Sequence, residues 1–250
     1  MILVIDVGNS RIKWGFADEH GKLTELGEDE HPSRLSTFAA KHWQGDREVP
    51  SKVVISNVSK QRLGDRIKQW IVRHWKVEPI FVVAQDEFAG VTNAYPEPKR
   101  LGSDRWAALI AARNISKSQA LIIGCGTAIT LDVLDRKGQH LGGLIIPGLE
   151  MMRQALVANT ERVKLDEQDA QSPELLARDT KGAVIGGTLY SAVATIDRIT
   201  HDVVAEMGAT TKCFITGGDS EQLLNLLAGE YKHRPNLVLE GLVQLAKGEA

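Results

Sequence analysis

The chain has 250 residues, 43% of them apolar and 25% charged, with a formal net charge of −2. That length favours two modest cores over one, and no apolar run approaches the roughly 18 residues that a membrane helix needs. Lys and Arg are scattered among acids, which leaves no basic stripe for nucleic acid; a small-molecule ligand is the expectation. Cys125 and Cys213 are the only cysteines, each inside an apolar run. They read as reduced, buried thiols rather than a disulfide framework or a zinc site. The opening MILVID lacks the basic segment and cleavage site of a secretion signal, so a cytoplasmic location without a membrane partner is expected.

In chain order, MILVIDVG, RIKWGFAD and KLTELGE read as three strands of a meander, with turns at Gly8–Ser10 and Glu19–Gly21. SRLSTFAAKHW carries helical spacing, KVVISNV is a buried strand, KQRLGDRIKQWIVRHW an amphipathic helix and EPIFVVA a further strand. QDEFAGVTNAYPEPKRLGSD, with prolines at 96 and 98, breaks the pattern as a loop or domain boundary. DRWAALIAARNI is helical, and a second strand series starts at Ala120. KGQHLGGLIIPGLEMMRQALVANT passes from a strand through glycine turns into a helix, and DTKGAVIGGTLYSAVATIDRITHDVVAEMG is one long helix. TKCFITGGD is a strand ending in a double-glycine turn; SEQLLNLLAG and LEGLVQLAK close the chain as helices.

LVIDVGNSRIKWGFAD, displaced by 118 residues from Leu3 to Leu121, lies on LIIGCGTAITLDVLDR, with Gly8 on Gly126 and Asn9 on Thr127. So long a period marks a duplicated domain. The expected architecture is α/β, with domains at 1–116 and 117–250 and a ligand cleft between them.

Turns rich in glycine and small polar residues let backbone N–H groups approach a phosphate with no Cβ in the way. Gly8, Asn9 and Ser10 form one such turn, and Gly126, Thr127 and Ala128 another. Asp6 at the first mouth suits Mg²⁺ or a metal-bound water, and Lys13 offers a compact positive charge. Taken singly, each turn reads as an ordinary hairpin turn; the pair, together with TGGD at 216–219, brings the phosphate reading level with it. No G-x-x-x-x-G-K-[ST] occurs, which excludes a P-loop, and Ile129 stands where a dinucleotide fingerprint needs its third glycine. In RLGSDRWAALIAAR, Ser103 is either a helix N-cap with Asp104 answering the helix dipole, or the start of a site in which Asp104 accepts a substrate proton and Arg105 binds an anionic group. Tyr95 either packs against prolines or lines a pocket, and Thr180 either caps the long helix or touches a ligand. The seven histidines lack metal-ligand spacing.

IDVGNSRIKWG, LGSDRWAALIAAR, GTAITLDVL, GGLIIPGLEMM, T-x-x-A-V-x-x-G from Thr180 to Gly187, and ITGGD stand in the order found in type III pantothenate kinases. The chain resembles that family over nearly its whole length. The resemblance implies the acetate and sugar kinase/Hsp70/actin fold, built of two ribonuclease-H-like domains with an inter-domain cleft, and a homodimer. It implies ATP-dependent phosphorylation of pantothenate to 4′-phosphopantothenate, the first step towards coenzyme A. On this resemblance the ATP phosphates fall to Asp6, Val7, Gly8, Asn9, Ser10, Arg11, Ile12 and Lys13, with Thr127 as a second ATP contact and TGGD on the adenosine side. Pantothenate falls to Tyr95, Gly102, Ser103, Asp104 and Arg105, with Thr180 near a dimer interface; Asp104 is the proton acceptor. The implied ions are Mg²⁺ or a similar divalent ion, held at Asp6 through the phosphates, and a monovalent cation, potassium or ammonium. One departure stands out: the family often reads D-x-G-T in the second phosphate turn, and its cation-linked Asp is Gly124 here. A cation there would need backbone carbonyls, Thr127 or a neighbouring chain. The competing readings are another kinase or phosphohydrolase on this fold, a nucleotide-binding regulatory or accessory protein without turnover, and an unrelated α/β binding protein. The retained Asp104 and the absence of a basic stripe count against the regulator.

Overall fold

The structure, a computed structural model, describes residues 1–45, 47–160 and 175–248. The opening meander is β1 (Ile2–Val7), β2 (Arg11–Ala17) and β3 (Leu23–Glu30), followed by α1 (Leu35–His42), β4 (Lys52–Asn57) and α2 (Gln61–Trp75). EPIFVVA shrinks to β5 (Ile80–Phe81), an edge strand whose one neighbour is β4. The irregular stretch beyond it contains a small hairpin, β6 (Glu87–Phe88) and β7 (Val91–Thr92), and a 3-10 turn at Pro98–Arg100. Then come α3 (Ser103–Ile115), β8 (Ala120–Cys125), β9 (Ala128–Leu134), β10 (His140–Pro147), α4 (Leu149–Ala158) and α5 (Thr180–Met207). The chain closes with β11 (Lys212–Thr216), α6 (Ser220–Leu224), β12 (Lys232–His233) and α7 (Leu237–Gly248). The helix expected over SEQLLNLLAG is therefore confined to its first half.

Two compact units result: Met1–Lys117 with Arg136–Gly142 and Asn236–Ala250, and Ser118–Asp135 with Gly143–Pro235. Arg136–Gly142 and α7 group with the first unit. The first sheet has the order β3-β2-β1-β4-β5 and the second β10-β9-β8-β11-β12. These are the same topology, a meander joined to parallel strands. The displacement of 118 carries β1 onto β8 residue for residue. Val7 pairs with Ile12 while its counterpart Cys125 pairs with Ile129, so the second turn is one residue tighter.

Alternation along the strands sorts the first unit's side chains into two layers. Leu3, Ile5 and Val7 of β1, Ile12, Trp14 and Phe16 of β2 and Val53 and Ile55 of β4 form one core with Phe38, Trp43, Ile67 and Ile71 of the α1–α2 region. Burial of each large side chain contributes about 1.5–3 kcal/mol. The opposite face, with Val4 and Val54, packs under α3 and α7. Polar Asp6 and Ser56 end this second face, where α3 begins. In the second unit Leu121, Ile123, Ile129, Leu131 and Ile215 form the equivalent core with Leu149 of α4 and Leu189 and Ile196 of α5.

Candidate active site

In the first unit Asp6 stands opposite Lys13 in the antiparallel ladder and opposite Ser56 in the parallel one, so all three side chains share one face of the sheet. Asp6 is partly buried as a residue, yet its Oδ1 is sealed from solvent and has no hydrogen-bond partner. Burial, and then the charge of Asp104, push its carboxyl up to about 7 against the opposing pull of a Ser56 hydrogen bond and of Lys13. Lys13 Nζ lies 3.0 Å from Glu28 Oε2 on β3, and Arg11 pairs with the same carboxylate. Burial works against the charge of Glu28, but hydrogen bonds from Lys13 and Arg11 outweigh it and hold that carboxyl below its ordinary range. The turn is closed by Gly8 N donating to Arg11 O at 3.0 Å, and a His31 ring nitrogen lies 2.9 Å from Gly8 O. Asn9 and Ser10 are exposed, whereas the side chains of Val7 and Ile12 belong wholly to the core.

The start of α3 brings the second group of residues into the same unit. Gly102, not Ser103, occupies the cap position, and no side chain caps the helix. Ser103 is turned inward instead, with its hydroxyl 3.0 Å from that of Ser56. Asp104 lies in the first turn, where the helix dipole favours its charge, and its Oδ1 accepts from Arg105 N at 2.8 Å. A Cβ on Gly102 would come within 2.6 Å of that Oδ1, so any larger residue there displaces the carboxylate. Arg105 is 7% exposed and donates from Nη1 to Tyr95 Oη at 3.0 Å. Tyr95 in turn stacks on buried His140, with ring centroids 6.1 Å apart at 16°. Asp6, Tyr95 and Gly102–Arg105 thus converge within one unit. Ser56, Glu28, His31 and His140 were not read from the sequence; only Ser56, a hydroxyl at the end of the apolar strand KVVISN, left a signal there.

In the second unit three glycine motifs meet. Gly126 N donates to Ala128 O at 3.1 Å, and Gly148 N to Thr127 O at 3.0 Å. Asp219 N donates to Cys125 O at 3.1 Å. Gly217 has φ of 104°, and a Cβ on it would lie 2.1 Å from Cys125 O, so TGGD can lie against the second turn only with glycine there. Ser220 Oγ donates to Gly217 O at 2.6 Å and lies 2.9 Å from His233 Nε2. The Cys125 thiol is pushed up to about 12, by burial first and Asp219 second, and stays protonated. Thr180 is the exposed first residue of α5; Asp179 caps the helix, accepting from Gly182 N at 2.8 Å, because its carboxylate is the acceptor in reach of that N–H. A Cβ on Gly124 would lie 2.7 Å from Thr130 Oγ1.

The profile of type III pantothenate kinases matches residues 2–202. The chain belongs to the type III pantothenate kinase family. The type III pantothenate kinase of Nitrosococcus oceani is 43% identical over 253 residues, covering 99% of this chain and 94% of that one. Two solved structures share the fold at low identity. A Campylobacter jejuni protein classed in a Baf family of transcriptional activators has a TM-score of 0.61 at 19% identity, covering 99% of this chain and 98% of its own. The inorganic polyphosphate/ATP-glucomannokinase of an Arthrobacter strain has a TM-score of 0.52 at 16% identity, covering 100% and 99%. The fold is accordingly that of the acetate and sugar kinases, Hsp70 and actin, and this type III family member is an enzyme of the kinase class.

Without nucleotide or metal, Asp6 of this kinase keeps its proton to about 7 when folded but only to its ordinary 3.8 when unfolded. The folded state therefore binds more protons between those values, and stability falls as pH rises through that window and levels off above it. Asp6→Asn, neutral throughout, is expected to flatten this slope and to melt above wild type beyond pH 7 in scanning calorimetry. An unchanged slope assigns the effect to another group.

Proposed function

We propose that the chain transfers the γ-phosphoryl group of ATP to the primary hydroxyl of pantothenate, opening the route to coenzyme A, at the site around Asp6 and Asp104. The single observation that carries this reading is the meeting of Asp6 and Asp104 at the start of α3, beside a buried Arg105 already aimed by Tyr95. Phosphoryl transfer has a loose transition state, so alignment and charge stabilisation matter more than strong proton removal. Asp104 orients the hydroxyl and accepts its proton late. Arg105, held by its bond to Tyr95, is placed to bind a polar group of pantothenate, and Thr180 is a further pantothenate contact. Lys13 and the amides of Gly8, Asn9, Ser10 and Arg11 bind phosphate oxygens, while Val7 and Ile12 anchor the turn from the core. Thr127 and the TGGD turn are the nucleotide contacts carried by the second unit.

The partnerless, sealed Oδ1 of Asp6 fits a divalent ion or its water, and Mg²⁺ held there supplies charge neutralisation on the phosphates. The monovalent cation does not fit in the same way. Gly124 brings no carboxylate, and Thr130 Oγ1 fills the space beside it. A homodimer is part of this reading: Leu144 and Ile145 on edge strand β10 and Met151, Leu156 and Val157 on the adjoining α4 are 37–62% exposed, an apolar edge that a second copy would cover. So is a cytoplasmic location, supported by two free buried thiols.

Asp104→Asn keeps the size and removes the base. In an ADP-release assay with ATP and pantothenate it is expected to lower kcat by about 10²–10⁴-fold with KM for ATP unchanged; full turnover would remove Asp104 from the chemistry. The same assay run in potassium and in sodium is expected to give equal rates, and a strict need for potassium would show that another group replaces the missing carboxylate. Ile145→Glu is expected to convert a dimer to monomer in sedimentation velocity, and a monomeric wild type would rule out the assembly.

A further inference from the structure

Asp6 and Asp104 come from a strand end and a helix start, and their like charges push apart. Two hydroxyls lie between these elements. Ser56 is wholly buried and Ser103 is 8% exposed; their oxygens are 3.0 Å apart. Ser56 also stands opposite Asp6 in the parallel ladder, on the same face of the sheet. The contact between the two hydroxyls therefore ties the start of α3 to β4 at the ladder position beside Asp6.

We infer that Ser56 and Ser103 form a positioning bridge that fixes the distance between the proton acceptor at the start of α3 and the phosphate-side carboxylate at the end of β1. The inference rests on the reading of Asp6 and Asp104 given above and deepens it. Ser103 stands inside the substrate motif, yet its hydroxyl faces the sheet, so it supports the site from behind rather than touching pantothenate. A hydroxyl is what both positions need, since alanine brings neither donor nor acceptor to the contact.

The test compares wild type, Ser56→Ala, Ser103→Ala and the double variant in ADP release with ATP and pantothenate, and in urea unfolding. Each single variant is expected to lower kcat by about 10- to 100-fold, as misplacement on the order of 1 Å does, with both KM values within about twofold. The double variant should be no slower than the slower single, because either change breaks the same bridge. Ser103→Thr retains the hydroxyl and should recover turnover, while Ser103→Val, of the same shape, should not. Losses that multiply in the double variant, losses confined to KM, or equal rates for the Thr and Val variants would overturn the bridge. The unfolding cycle reads the hydroxyl contact without any need for turnover: additive midpoints remove it, and coupled midpoints with additive kcat make it structural only. Turnover surviving in Asp104→Asn faults the assignment of Asp104, a result separate from anything in the serine cycle.

Discussion

Two carboxylates held near each other, Asp6 at the end of β1 and Asp104 in the first turn of α3, set the terms for everything around them. Burial, and then the charge of Asp104, makes Asp6 harder to ionise. The surroundings answer with groups that favour negative charge: the dipole at the start of α3, Lys13 across the antiparallel ladder, and the Ser56 hydroxyl across the parallel one. A strained pair of this kind is characteristic of functional sites, where a charge is kept uncomfortable until a ligand arrives. A polyanion accompanied by a divalent ion is such a ligand.

The groups proposed for the substrate are held in place by neighbouring side chains. Arg105 is buried and fixed by Tyr95, whose ring rests on His140. Glu28 binds Lys13 and Arg11 together on the exposed side of the meander, so neither cation is left to wander. His31 holds the carbonyl of Gly8 and with it the turn. Such restraint lowers the entropy lost on binding, which is how alignment contributes to phosphoryl transfer.

The two units share a topology but not a chemistry. Asp6, Lys13 and Ser56 occupy three neighbouring ladder positions in the first sheet; the matching positions in the second are Gly124, Thr130 and Thr216, all neutral. The first strand-turn-strand carries the charges, while in the second the backbone packs closely, with Gly217 against Cys125 and Asp219 N reaching the Cys125 carbonyl.

The sequence by itself determined the strands of both meanders, the long α5, the duplication and the glycine turns, because these rest on local periodicity and on turn residues that work within a few positions of one another. Asp6, Tyr95, Asp104 and Arg105, which the first unit brings together, are singled out in the sequence by motifs rather than by any contact. The tertiary structure alone decided that Gly102 and Asp179 are the cap residues, that α7 packs against α3 and β1, and that Ser103 turns to Ser56. Capping by Ser103 or Thr180 was a sound local guess, since both stand beside a helix start; which neighbour has the right dihedral angles and a free acceptor depends on the incoming chain. Ser56 and Ser103 are 47 residues apart, and nothing in a one-dimensional pattern says which strand position will lie beneath which helix start. That pairing arises when β4 takes its register beside β1 and α3 covers the face they share.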